Sequence, residues 1–300
     1  MLEKIVNYEC SFKVGGRKDM KRKKCISFFV GIVAVLFSGM CVSAQTLRMV
    51  EYDMATGMEK VVEIPIVENV NTEESYTSST LQMRSVIGSD ERTPVDDTTA
   101  FPMSAVGQLK YKKNDKSYSA TGWMFSMNCL ATNAHVVKDS RDMFFTPGRN
   151  YVLSPFGTAK VLKTYYPEEY DNNEGVDFDF GFALLDTNIG SKTGFLNYYT
   201  NGATKEELVD CLGYPGDRTL NGKPLQMVSS GALLGKEDYT LRTIHHTVDT
   251  EAGSSGSPLF TYDSGGNPLV LAIHSEGWNI NKAVSIDKFV AGAMNTFKNS

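Results

Sequence analysis

DTEAGSSGSPLF, residues Asp249 to Phe260, contains Gly253-Ser254-Ser255-Gly256-Ser257, a run that composition alone would assign to a flexible linker. Its spacing argues otherwise. Ser257-Pro258 leads straight into Leu259-Phe260, so the glycines are tied to an apolar strand, and a serine between glycines on a tight turn is the setting of a nucleophile. Glycine ahead of such a serine permits the φ values that turn successive N–H groups inward, which is how an oxyanion site is built. Read this way, the segment belongs inside a β domain and does not tether two domains together.

The surrounding sequence has the same texture. Short apolar or alternating runs recur at Ser104 to Tyr111, Tyr118 to Phe125, Cys129 to Val137, Asp179 to Leu185, Glu207 to Leu212, Gln226 to Leu234, Thr243 to Val248 and Leu269 to His274. Pro147-Gly148, Pro215-Gly216, Asn221-Gly222 and Gly265-Gly266-Asn267 punctuate them, as expected of an antiparallel barrel or sandwich. No repeat and no strand–helix–strand rhythm is evident. The pattern predicts an all-β fold closed by one helix over Asp287 to Phe297, where Phe289, Val290, Ala293, Met294 and Phe297 recur at helical spacing. The polar, aromatic stretch Asp186 to Lys205 is the expected crossing between two halves.

The 300 residues are 41% hydrophobic and 22% charged, ordinary for a packed globular protein, and the formal net charge of -5 provides no basic footprint for nucleic acid. Met20-Lys21-Arg22-Lys23-Lys24, the apolar run Ile26 to Phe37 and the small-residue end Val42-Ser43-Ala44 read as a secretory signal cut after Ala44. A signal anchor over Cys25 to Ala44 is the alternative. Residues 1–19 lie upstream of this complete signal and form, with it, an N-terminal extension over 1–44. Residues 45–84 are polar and acidic with few aromatics, and are expected to be a pro-region. Of five cysteines, Cys129 and Cys211 remain for the exported protein, which is no disulfide framework; two buried free thiols and one bridge are both open.

A serine hydroxyl is a poor nucleophile at neutral pH, so acyl transfer needs a histidine base, a carboxylate to orient it and N–H donors for the oxyanion. Only four histidines are present. His135 ends Leu130-Ala131-Thr132-Asn133-Ala134-His135-Val136-Val137, a strand whose small residues bring the ring to a barrel rim. In Asp177-Phe178-Asp179-Phe180-Gly181, alternation on a strand would put both aspartates on one face. The chain order His, Asp, Ser is that of the chymotrypsin-like arrangement and not of the subtilisin or α/β-hydrolase arrangements.

With these pieces in hand, residues from about Ser85 onward resemble a secreted bacterial glutamyl endopeptidase, a branch of the chymotrypsin-like serine proteases. The matching motifs are Ser85-Val86-Ile87-Gly88-Ser89-Asp90-Glu91-Arg92-Thr93, Thr98-Thr99-Ala100-Phe101-Pro102, Thr132-Asn133-Ala134-His135-Val136-Val137, Asp179-Phe180-Gly181, Gly213-Tyr214-Pro215-Gly216-Asp217 and Gly253-Ser254-Ser255-Gly256-Ser257-Pro258. The resemblance implies two six-stranded antiparallel β-barrels, over 85–195 and 196–300, with the site in the cleft between them. It implies Ser255 as nucleophile, His135 as general base and acid, Asp179 as the orienting carboxylate with Asp177 as second choice, and the N–H groups of Gly253 and Ser255 as oxyanion donors.

It further implies a pocket for glutamate, less readily aspartate, walled by His274 and supplied with a hydroxyl by Thr250. Asp249 competes: it stands where trypsin-like enzymes carry the carboxylate that selects Arg or Lys. If the glutamate reading holds, the Asp249 side chain points away from the pocket. Ala252 and Glu251 depart from the pattern, with Glu251 near the rim, and Ser254 replaces the aspartate of the trypsin-type activation bridge. Activation is expected by cleavage of Arg84-Ser85, by an Arg-cutting protease, freeing Ser85 as the new N-terminus. Protein or peptide substrates, secretion, a monomer, no cofactor and no metal complete the expectation; the adjacent His245 and His246 have no ligand cluster beside them. A catalytically silent homologue acting as a binding module is the reading from another class.

Overall fold

The computed structural model describes residues 45–66, 89–277 and 280–298. The signal, the Arg84-Ser85 bond and the processed N-terminus expected from the sequence lie outside them. Near the chain start, β1 (Thr46–Asp53) and β2 (Glu59–Pro65) form a hairpin, and β3 (Thr93–Pro94) follows. Six strands then make the first barrel: β4 (Val106–Lys113), β5 (Lys116–Met124), β6 (Cys129–Thr132), β7 (Arg141–Pro147), β8 (Ala159–Pro167) and β9 (Gly181–Leu185). They pair in the order β8-β7-β4-β5-β6-β9, and β9 returns to β8 to close the ring.

The chain crosses through β10 (Asn197–Tyr198) into the second barrel, which begins with β11 (Leu208–Gly213). A small excursion, β12 (Thr219–Leu220) and β13 (Lys223–Pro224), precedes β14 (Met227–Lys236), β15 (Thr243–His246), β16 (Pro258–Tyr262), β17 (Pro268–Gly277) and β18 (Asn281–Ser285). The order β17-β16-β11-β14-β15-β18 closes by β17 pairing with β18. Closure leaves no long unpaired edge within either ring. β10 lies parallel on β17, and β3 pairs with β14, so the segment ahead of the first barrel is anchored on the second.

Each barrel has an interior that its alternating strands fill. Leu109, Leu130, Phe145, Val161 and Leu185 pack inside the first, and Val209, Leu233, Ile244, Leu259 and Leu271 inside the second. A third cluster seals the two together through Trp123, Phe180, Phe182, Leu212, Tyr214 and Phe260. The predicted C-terminal helix is present over Lys288–Lys298, with Asp287 accepting the N–H groups of Phe289 and Val290 as its cap. It belongs to the second barrel by sequence but packs on the first: the Phe297 ring centroid lies 4.6 Å from that of Tyr165 and 5.2 Å from that of Phe182.

The hairpin β1–β2 has more structure than its composition suggested. β1 pairs with β8 and buries Leu47, Met49 and Val50, so it extends the sheet of the first barrel. Thr46, Arg48 and most of β2 are exposed, which is why the segment looked poor in core, while Glu51 is buried and paired with Lys163. Two buried free thiols resolve the cysteine alternatives: Cys129 and Cys211 sit on different barrels, and burial pushes them to about 11 and about 12, so both stay protonated and inert.

Candidate active site

His135 stands on a single helical turn, Ala134–Val137, that follows β6 directly. Asn133 opens the turn, and its side-chain amide donates to the Asp179 carbonyl at 2.8 Å, drawing the two segments together. The Asp179 carboxylate then engages His135 twice: Oδ1 accepts the backbone N–H at 2.9 Å and Oδ2 lies 2.8 Å from Nδ1. Ser275 of β17 adds a third contact by donating its hydroxyl to Asp179 Oδ2. An ionised Asp179 accepts from His135 Nδ1–H, which leaves the Nε2 lone pair on the cleft side as a proton acceptor.

The sequence reading put Asp177 and Asp179 on one face of a strand, and the structure corrects it. The strand begins only at Gly181, and Val176–Phe178 is a 3-10 turn, so the two side chains diverge. Asp177 accepts the N–H groups of Leu241, Arg242 and Thr243 and the Thr243 hydroxyl, each at 2.8 Å. Burial works to raise its pKa, but these donors outweigh it and hold the carboxylate below its usual range. Asp177 is a brace between barrels; Asp179 alone reaches His135.

The opening stretch forms a turn whose carbonyls are taken up by donors of the protein. Gly216 N–H donates to the Ala252 carbonyl at 2.7 Å, the Thr121 hydroxyl to the Gly253 carbonyl at 2.9 Å, and Ser257 N–H to the Ser254 carbonyl at 2.9 Å. Across a trans peptide the N–H points opposite to the carbonyl before it, so engaging the Ala252 and Ser254 carbonyls turns the N–H groups of Gly253 and Ser255 away from those donors. Within the described residues no hydrogen bond occupies either of them. Gly253 has φ +101°, and a Cβ there would lie 2.5 Å from the Tyr214 carbonyl oxygen, so no other residue keeps this geometry. The Ser255 hydroxyl is turned toward the Ser275 carbonyl at 3.4 Å, and among the described residues no hydrogen bond joins it to His135.

Ser255, His135 and Asp179 line one pocket of about 500 Å³ together with Thr250, His274 and Asn281. His274 is buried and its Nδ1 lies 3.1 Å from Nε2 of His246, itself buried. Burial, with the nearby His135 charge, pushes His274 down to about 3, and burial likewise holds His246 low, so the pair is neutral at ordinary pH. His246 is the contributor that the sequence does not single out: read against metal binding, the adjacent His245 and His246 have only a structural or surface role. Strand alternation was the available signal: His246 points into the barrel, while His245 faces out toward Glu237 at 3.4 Å.

Asp249 is absent from the pocket lining. Its Oδ2 accepts the N–H of Glu91 at 2.8 Å, so the carboxylate ties the segment before the first barrel to the second. Arg92 strengthens that tie by bridging Asp90 and Asp217, each at 2.7 Å, and its hydrogen bond to Asp90 helps hold that carboxyl far below its usual range. Glu251 lines the pocket, with Glu276 beside it. Thus the cleft offers neutral donors at its wall and carboxylates at its rim.

A trypsin-like peptidase domain model matches residues 120–269, a span that contains all three of His135, Asp179 and Ser255. The chain is 32% identical over 233 residues to a glutamyl endopeptidase of Bacillus licheniformis, covering 73% of this chain and 70% of that protein. It is 30% identical to an extracellular metalloprotease of Bacillus subtilis over 73% of this chain and 72% of that protein. Among the described residues no group of three or more His, Cys, Asp or Glu is arranged to hold a metal ion, so they provide no ligand set matching that second name. A solved Glu endopeptidase structure, in complex with MPD, superposes with a TM-score of 0.63 at 26% identity, over 72% of this chain and 100% of the other.

Proposed function

Because the chain belongs to the trypsin-like serine peptidases, a family of hydrolases, we propose that it is a secreted endopeptidase that cuts after glutamate, less readily after aspartate. In this reading Ser255 Oγ attacks the scissile carbonyl while His135 Nε2 takes its proton, and Asp179 holds the resulting imidazolium. The oxyanion is received by the N–H groups of Gly253 and Ser255. Collapse breaks the C–N bond as His135 returns the proton to the departing amine. Water, activated by the same ring, then releases the acyl group from Ser255.

The glutamate preference rests on one observation above the others: the pocket wall is a buried neutral imidazole, while Asp249 is occupied elsewhere by Glu91 N–H. A carboxylate entering a desolvated pocket needs donors. If His246 Nε2 carries the proton of the 3.1 Å bond, His274 Nδ1 accepts and its own proton is on Nε2, leaving that N–H, with the Thr250 hydroxyl, for the substrate. A cationic side chain would instead meet a proton donor in His274, and its carboxylate partners in this pocket would be Glu251 and Glu276 and not Asp249. The relative named a glutamyl endopeptidase agrees with this reading.

The protein is proposed to act as a monomer, exported with cleavage after Ala44 and activated by cleavage after Arg84, its pro-region being residues 45–84. N-terminal sequencing of the secreted form tests both cleavages. For specificity, the secreted protein is expected to hydrolyse peptides with Glu before the scissile bond and to leave Arg and Lys peptides intact. Cleavage of the Arg peptides instead would hand the pocket to Asp249. A fluorophosphonate probe is expected to label the protein at Ser255; absence of label would favour a silent binding homologue.

A further inference from the structure

On the other flank of the oxyanion turn lies a second, larger cleft of about 690 Å³, which shares no lining residue with the Ser255 pocket. It opens between the β4–β5 face of the first barrel and the Tyr214 to Pro224 stretch of the second. Thr121 of β5 marks where it begins: its N–H donates to the Ser255 carbonyl at 2.9 Å, and its hydroxyl accepts from Tyr214 N–H at 3.0 Å. From there the cross-strand register lays out a floor. Gln108 lies opposite Thr121, Lys110 opposite Ser119 and Lys112 opposite Ser117. Directly opposed pairs two residues apart share a face, so each pair stands about 7 Å further from the turn than the last.

The charges on this floor are unbalanced. Lys112 is matched by Asp142 at 2.8 Å. Lys110 has no carboxylate among the described residues, and neither do Arg149 and Lys223, the two cations whose fields reach it. Burial and those two like charges lower the Lys110 pKa. Arg149 Nε is buried without a hydrogen-bond partner among the described residues. In a protein of net charge -5, Lys110 is the lining cation of this cleft that has no carboxylate partner among the described residues, and the like charges whose fields reach it favour an anion beside it.

We propose that this cleft receives the leaving-group side of the substrate and selects an acidic residue at the second or third position after the scissile bond, through Lys110 on its floor. The inference rests on Ser255 being the nucleophile. The acyl side then occupies the His274 pocket, and the chain must continue past the oxyanion turn on its opposite flank. An extended peptide advances about 3.3 Å per residue, so the second and third residues come level with Lys110.

The test uses the secreted protein and three internally quenched peptides that share one acyl side and carry Asp, Ala or Lys at those positions. A glutamyl anilide, which has no residue after the scissile bond, runs beside them. The Asp peptide is expected to exceed the Ala peptide in kcat/KM about three- to fivefold, the size of one exposed ion pair, with the Lys peptide slower than both. Lys110→Gln is expected to bring the Asp-to-Ala ratio near one, and Lys110→Arg to keep it. Equal rates for all three peptides, with the anilide still hydrolysed, would overturn this inference and leave the catalytic reading standing. An inert anilide together with no fluorophosphonate label would overturn both.

Discussion

At the scale of single residues, the site separates groups that do chemistry from groups that orient them. In the proposed mechanism Ser255→Ala removes the attacking oxygen, so turnover and fluorophosphonate labelling are both expected to vanish while the fold stays intact by circular dichroism. His274→Ala is expected to cut kcat/KM for Glu peptides by about a hundredfold, since a buried charge-assisted hydrogen bond contributes roughly 1.5–3 kcal/mol. The rate of fluorophosphonate labelling should fall far less, because that probe needs no pocket. Equal losses in the two assays would remove His274 from substrate recognition. His246 is a positioning residue in this scheme: its Nε2 lies 3.1 Å from Nδ1 of His274. The carboxylates of Asp177 and Asp249 show how little a residue's type says about its use, since both cap backbone N–H groups far away in sequence.

At the scale of elements, the two ends of the chain brace the first barrel. The hairpin β1–β2 lays Met49 against Tyr165 and Phe182 in one cluster, and the terminal helix adds Phe297 to the same cluster. Thr296 of that helix also donates to the Pro65 carbonyl, joining hairpin and helix directly. Phe297→Ala empties a site in contact with two aromatic rings, and is expected to destabilise the protein by about 3 kcal/mol, measured as a lowered urea midpoint. A change under about 0.5 kcal/mol would mean that the helix contributes little to the barrel it covers. The elements were legible where an apolar run stands between turn residues, as in β17 with its Leu269-Val270-Leu271-Ala272-Ile273. They were not legible for β7 and β8, whose exposed Phe144 and Leu162 break the alternation that marks a strand.

At the scale of the whole molecule, burial of two neutral histidines links stability to pH. The unfolded His274 titrates near 6.5 and the folded one near 3. Between those values the unfolded chain binds a proton that the folded one refuses, so stability falls as pH falls, by up to about 1.4 kcal/mol per pH unit. His246 acts in the same direction. The urea midpoint is therefore expected to drop from pH 7 to pH 4.5, and the double variant His246→Gln with His274→Gln to show a shallower slope; a flat wild-type profile would contradict this. Sequence alone determined the all-β class, the closing helix, the Gly253–Ser255 turn and the two candidates His135 and Ser255, because strand alternation and glycine conformations are properties of neighbouring residues. Only the tertiary structure decided between Asp177 and Asp179, turned Asp249 toward Glu91, set His246 behind His274 and docked the hairpin on β8. The first three of those outcomes depend on pairs separated by 44, 158 and 28 positions in the chain. Which distant groups meet is settled by how barrels close and pack, and no local pattern carries that information.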